Sequence, residues 1–123
     1  MYGPAYKGIP LATAIGQLFY IEEKKKIELI FDRKEIKDHG EGGKLIGNIS
    51  GKRILIIDDV LTAGTAIKET VEIIQHNNAK AVAAIVALDR MEKDANSLTF
   101  KENLEKNLSI PILSITTFQD LKK

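Results

Sequence analysis

Residues 54–66 read ILIIDDVLTAGTA. The run Arg53–Ile57 (RILII) is one charge followed by unbroken apolar residues, the pattern of a strand covered on both faces. It leads into two adjacent carboxylates, Asp58 and Asp59, and then into a short loop of small residues carrying Thr62 and Thr65. A helix over 64–77 follows from the spacing of Ile67, Val71 and Ile74. Each part of this unit has a physical use. Unpaired N–H groups at a helix start, with the positive end of its dipole, favour a phosphate. Gly64 lets the backbone approach a ligand closely. Thr62 and Thr65 add hydroxyl donors, and Asp58 and Asp59 are acceptors suited to ribose hydroxyls or a hydrated magnesium ion. A phosphate beside a sugar diol describes a ribose 5-phosphate. The plainer alternative is that Thr62 caps the helix and the aspartates end the strand. Neither G-x-x-x-x-G-K-[ST] nor G-x-G-x-x-G occurs, so a Walker-type loop and a dinucleotide site have no support.

Outward from this unit, buried strands alternate with amphipathic helices. Segment 9–21 reads as a helix with Leu11, Ile15, Leu18 and Phe19 on one face, and Pro10 fits its first turn. Ile27–Phe31 reads as a short strand, and 32–51 is polar, glycine-rich and without a clear period. Ala81–Leu88 is a second fully apolar strand, preceded by Asn77 and Asn78 as left-handed helix-ending residues. Phe100, Leu104 and Leu108 mark another helix with Ser97 as its expected cap, Ile112–Ile115 a last strand, and 117–122 a terminal helical turn. The order helix, strand, strand, helix, strand, helix, strand implies an α/β fold, a mostly parallel sheet flanked by helices. Ligands in such sheets sit beyond the carboxyl ends of the strands, which directs attention to Asp58, Asp59, Asp89 and Arg90.

Composition removes several classes. The chain has 123 residues, the size of one domain, and no linker or internal repeat divides it. Lys plus Arg number 18 against 17 Asp plus Glu, too even for a broad nucleic-acid-binding face. There is no cysteine, which excludes disulfides and thiolate chemistry, and two histidines cannot build a multi-histidine metal centre. No apolar run approaches the ~20 residues of a membrane span, and the start MYGPAYKG has no signal-peptide pattern. A soluble cytoplasmic protein is expected.

IIDDVLTAGTA resembles the phosphoribosyl-diphosphate signature of the type I phosphoribosyltransferases. GPAYKGIPLA at 3–12, FDRKEIKDHGEGG at 31–43 and ALDRMEK at 87–93 are similar, in order and spacing, to segments of the orotate phosphoribosyltransferases within that family. The resemblance implies a type I phosphoribosyltransferase-like core. It implies transfer of ribose 5-phosphate from phosphoribosyl diphosphate to orotate, giving orotidine 5′-monophosphate and pyrophosphate on the route to UMP. Magnesium is implied as cofactor, held mainly through substrate and water near Asp58 and Asp59. By the same resemblance, Asp58 and Asp59 contact the ribose, and Val60, Leu61, Thr62, Ala63, Gly64, Thr65 and Ala66 wrap the 5-phosphate. Tyr6 and Lys7 contact the pyrophosphate, with helix capping an alternative for Tyr6. Thr62 and Arg90 meet orotate, Arg90 by its suitability for a carboxylate; a surface pair with Asp89 or Glu92 is its alternative. Arg33, Lys34, Lys37 and His39 lie on a lid at about 32–51, which closes over the leaving pyrophosphate and is shared across a homodimer. Cations there would stabilise the charge that develops as pyrophosphate leaves. A purine-type transferase, or a non-catalytic sensor of phosphoribosyl diphosphate with the same fold, are the alternatives. Arg90 and DRKEIKDHGEGG argue against the first, and Arg33, Lys37 and His39 in the lid against the second.

Several departures from the family pattern stand out, a short C-terminal helical extension among them. Asp32 occupies a position usually held by asparagine, and Asn78 one usually held by glycine. Family members also carry a further N-terminal segment that supplies a strand and a hood over the ligands, whereas only MYG precedes PAYKG here. The expectation is therefore of a core with no strand to deliver Tyr6 and Lys7, an open sheet edge and little activity alone.

Overall fold

A computed structural model describes residues 1–33, 45–63, 65–93 and 97–121. The chain runs through β1 (Tyr2–Gly3), α1 (Gly8–Glu23), β2 (Ile30–Asp32), β3 (Leu45–Ile46), β4 (Arg53–Leu61), α2 (Thr65–His76), β5 (Lys80–Asp89), α3 (Phe100–Leu108), β6 (Ile112–Thr117) and α4 (Phe118–Leu121). One six-stranded sheet has the order β3-β2-β1-β4-β5-β6. All its pairings are parallel except that of β2 with β3. This is the expected α/β architecture.

The two apolar runs form its centre. β4 and β5 pair from Arg53 opposite Lys80 to Leu61 opposite Asp89, with one irregularity between Ile54 and Leu55. Ile54, Ile56, Ala84 and Val86 are buried, and α2 covers one face with Ile67, Val71 and Ile74 as its periodicity requires. Asn78 takes the left-handed conformation at φ 59° beyond α2.

Four expectations need correction. First, a strand does precede Pro4. Tyr2 and Gly3 form β1, which lies between β2 and β4 and pairs with both. Two residues suffice because their neighbours extend the ladder: Ile30 N–H donates to the Met1 carbonyl at 2.8 Å, and Tyr2 is fully buried. The edge beside β4 is thus covered. Second, the buried residues of α1 are Gly8 and Ala12, while Leu18 and Phe19 are exposed along with Tyr20 and Ile21. The helix sits too close to the strands for large side chains. A Cβ on Gly3 would lie 2.4 Å from the Gly8 carbonyl oxygen, and one on Gly8 would lie 2.8 Å from that of Ile57. Third, α3 is capped by Thr99, not Ser97; the Thr99 hydroxyl accepts the Glu102 N–H at 3.2 Å. Fourth, the stretch 32–51 holds ordered structure at its far end, with β3 against β2 and Ile49 in the core.

A side chain also fastens α3 to β6. Glu105 accepts the Ile112 N–H at 3.1 Å and pairs with Lys101. Burial pushes its carboxyl up, but the Ile112 N–H and the Lys101 charge outweigh that and hold it below the usual range.

The close approach of α1 yields a stability test. Gly8→Ala should destabilise the chain by about 1–3 kcal/mol, because backbone must move to admit the methyl group. Gly16→Ala, whose Cβ would meet only Ile27 at 4.0 Å, should not destabilise it. Urea unfolding of the two variants beside the parent checks the contrast.

Candidate active site

β4 does not stop at Ile57 as the apolar run suggests. It continues through Asp58 and Asp59 to Leu61, held by β5 to its last residue. Successive strand residues face opposite ways, so the adjacent carboxylates have different surroundings. Asp58 is buried and accepts the Asp59 N–H at 2.9 Å. Asp59 is less buried, with Oδ2 lying 3.9 Å from Lys7 Nζ. Val60 and Leu61 are strand residues too. The Leu61 side chain is in the core, and its carbonyl accepts the Arg90 N–H at 3.3 Å. The connection from β4 to α2 is therefore only 62–64, of which Gly64 lies outside the described residues, as does the Thr65 side chain.

Arg90 follows directly after β5. Its Nε lies 3.3 Å from Glu92 Oε1, so the surface pair weighed from the sequence is present. Asp89 beside it is buried and accepts the Met91 N–H at 2.8 Å. From the other side, the turn after β1 brings up Tyr6 and Lys7. The Gly8 N–H donates to the Pro4 carbonyl at 3.0 Å and the Ile9 N–H to that of Tyr6 at 3.3 Å. Lys7 is the N-cap of α1 by position but makes no side-chain cap bond. The peptide between Ala5 and Tyr6 is cis.

These pieces enclose one cavity of about 510 Å³, lined by Ala5, Tyr6, Lys7, Asp58, Asp59, Val60, Thr62, Ala66 and Arg90. It lies at the carboxyl ends of β4 and β5, where ligands of open parallel sheets bind. Two acidic residues, a threonine, a lysine and an arginine thus border one space large enough for a sugar phosphate and a small ring.

Not every candidate residue is there. Arg33 lines an adjoining cavity of about 340 Å³ with Asp32, Glu69, Glu72 and His76, and its Nε is buried with no hydrogen-bond partner among the described residues. Lys34, Lys37 and His39 lie outside the described residues. Ala5, which sequence reasoning passed over, lines both cavities. Its position between Pro4 and Tyr6 is the only sequence signal that could have marked it. No cluster of three or more metal-ligating side chains occurs among the described residues, and no described helix is long and apolar enough to cross a membrane.

Comparison with known proteins agrees with this geometry. The chain is 43% identical over 121 residues to the orotate phosphoribosyltransferase of Hamiltonella defensa, covering 98% of this chain and 56% of that protein. It is 41% identical to that of Escherichia coli over the same length, covering 57% of the relative. The crystal structure of the Francisella tularensis orotate phosphoribosyltransferase superposes with a TM-score of 0.82 at 34% identity, covering 98% of this chain and 57% of that one. The chain thus spans little more than half the length of these relatives. Residues 2–112 match the model of the phosphoribosyl transferase domain, and the chain belongs to that family.

Proposed function

We propose that this chain carries the catalytic core of an orotate phosphoribosyltransferase. In this reading it moves ribose 5-phosphate from phosphoribosyl diphosphate to orotate and releases pyrophosphate, in cytoplasmic pyrimidine nucleotide synthesis. The observation that carries the proposal is the single cavity lined together by Asp58, Asp59, Thr62, Lys7 and Arg90. The names of the relatives support the choice of orotate.

Each group then has a task. Asp59, the more accessible acid, takes the ribose hydroxyls. Asp58 holds the Asp59 backbone and contributes its remaining oxygen capacity. The turn 62–64 and the start of α2 receive the 5-phosphate on N–H groups. Lys7, already drawn towards Asp59, meets the diphosphate. Glu92 engages Arg90 through Nε, which leaves the Nη groups for the orotate carboxylate. The reaction needs no protein nucleophile. Loss of pyrophosphate builds positive charge on the ribose, and the site works by orientation and by neutralising the leaving group. Magnesium fits as an ion carried by the diphosphate: Asp58 and Asp59 offer the oxygen donors it prefers, directly or through water. When bound, it supplies positive charge to the departing pyrophosphate.

We also propose a homodimer in which the lid cations Arg33, Lys34, Lys37 and His39 serve the neighbouring subunit. Two observations support it. Arg33 lines a different cavity from Asp59, and α1 leaves Leu18, Phe19, Tyr20 and Ile21 exposed, apolar side chains that a partner could cover.

The deciding measurement is calorimetric binding of phosphoribosyl diphosphate with magnesium to the folded chain. Binding is expected, and a folded chain that takes up none would falsify the assignment. Turnover by the chain alone, followed as orotidine 5′-monophosphate formed, should be low beside that of the longer relatives, because much of their length is not represented in it.

Two substitutions refine the test. Arg90→Ala should weaken orotate binding about 10- to 150-fold, the equivalent of about 1.5–3 kcal/mol for a charge-assisted bond, with phosphoribosyl-diphosphate affinity unchanged. Equal losses for both ligands would remove Arg90 from the base site. Asp58→Ala should cost about 1–3 kcal/mol of stability in thermal unfolding, because it leaves a part-buried N–H unpaired. Asp59→Ala should cost under about 0.5 kcal/mol of stability and show its effect in ligand affinity instead.

A further inference from the structure

Asp32 is the last residue of β2, opposite Leu45 of β3 and immediately before Arg33. It does not line the cavity that holds Asp58, Asp59 and Arg90. Its carboxylate nevertheless reaches into the turn that builds one wall of that cavity: Oδ1 accepts the Ala5 N–H at 2.6 Å, across 27 residues of sequence. The pairing of Gly3 with Phe31 makes this reach short, since the next residue on each chain emerges from the same end of the ladder.

The turn needs such a hold. Pro4 has no N–H to give, and the backbone bonds from Gly8 to Pro4 and from Ile9 to Tyr6 lie within the turn or in the first turn of α1. They set its shape, while the bond from Ala5 to Asp32 ties it to the sheet. Lys7 is largely exposed, with 83% of its side chain open to solvent, and its distance of 3.9 Å from Asp59 makes a weak contact. Where the lysine starts from therefore depends on where its backbone is held, and the Asp32 carboxylate holds that backbone two residues earlier. The same carboxylate acts on the buried Tyr2 hydroxyl: burial raises the Tyr2 pKa, and the charge of Asp32 and its hydrogen bonding to the hydroxyl add to the rise.

We propose that Asp32 is a positioning residue: through the Ala5 N–H it fixes the Tyr6–Lys7 turn against the sheet, and so sets affinity for the diphosphate end of the substrate without touching it. The inference rests on the proposed function for the identity of the ligand, but the hold on Ala5 can be measured without any ligand.

The test compares the parent chain with Asp32→Ala and Asp32→Asn. The amide keeps an oxygen that can accept from Ala5, and the methyl group does not. Hydrogen exchange at the Ala5 amide, read by NMR, should be at least about tenfold faster in Asp32→Ala and close to the parent in Asp32→Asn, while Ile56 and Ile85 stay protected in both. In calorimetry with magnesium, Asp32→Ala should weaken phosphoribosyl-diphosphate binding about tenfold and leave orotate binding within twofold, and Asp32→Asn should restore the loss. Should Asp32→Ala not fold, Asp32→Ser, whose hydroxyl is too short to span the gap, replaces it. Unchanged Ala5 exchange in the variant lacking the acceptor overturns the inference, as does equal weakening of both ligands or unaltered phosphoribosyl-diphosphate affinity. A folded parent chain that binds no phosphoribosyl diphosphate overturns the proposed function and the ligand half of this inference. The exchange result then still decides whether Asp32 holds the turn.

Discussion

The parallel pairing of β4 with β5, carried through to Leu61 and Asp89, is the constraint on which the site depends. Apolar residues would sustain the ladder only to Ile57 and Leu88. Its extension past them carries two aspartates into regular strand, where their side chains part to opposite faces. Because both strands run the same way and finish level, Asp59 and Arg90 emerge at one edge although 30 residues of chain separate them. A strand ending at Ile57 would leave the carboxylates on a loose turn.

Extending strands into polar sequence puts carboxylates where burial disfavours charge, and the backbone answers that cost. Asp58 accepts the N–H of Asp59, and Asp89 that of Met91, so each buried acid has a donor from its own chain. The cations are treated differently. Lys7 and Arg90 meet their acidic neighbours at 3.9 and 3.3 Å with more than half of each side chain exposed. Such pairs contribute little to stability and yield readily to a ligand. The buried acids Asp58 and Asp89 are thus fixed by backbone, and the two cations are left adjustable.

The second wall depends on close packing of small residues. Gly3, Gly8 and Ala12 let α1 rest against β1 and β4, which brings the turn before it within reach of the β4 end. Further along α1, Leu18, Phe19, Tyr20 and Ile21 are exposed. Asp32 then joins this wall to the end of β2, so that three separate segments, 2–8, 30–33 and 58–62, support one cavity.

The sequence by itself determined the α/β class, the two central strands, α2 and its buried face, and the acid pair with its threonine turn. Those features rest on local periodicity and on residue types with few alternative uses. Tertiary structure decided the rest, because it depends on contacts between distant segments. A two-residue strand has too short a pattern to be seen, and β1 exists only because β2 and β4 flank it. The buried face of α1 could not be read from apolar spacing, since the distance between helix and sheet, set by Gly3 and Gly8, selected the small residues instead. The cap of α3 went to Thr99, three residues before the Glu102 N–H it satisfies. Whether Arg33 belongs to the Asp59 cavity was equally beyond local sequence: the path of β2 places it beside Glu69 and Glu72, in another cavity of the same chain.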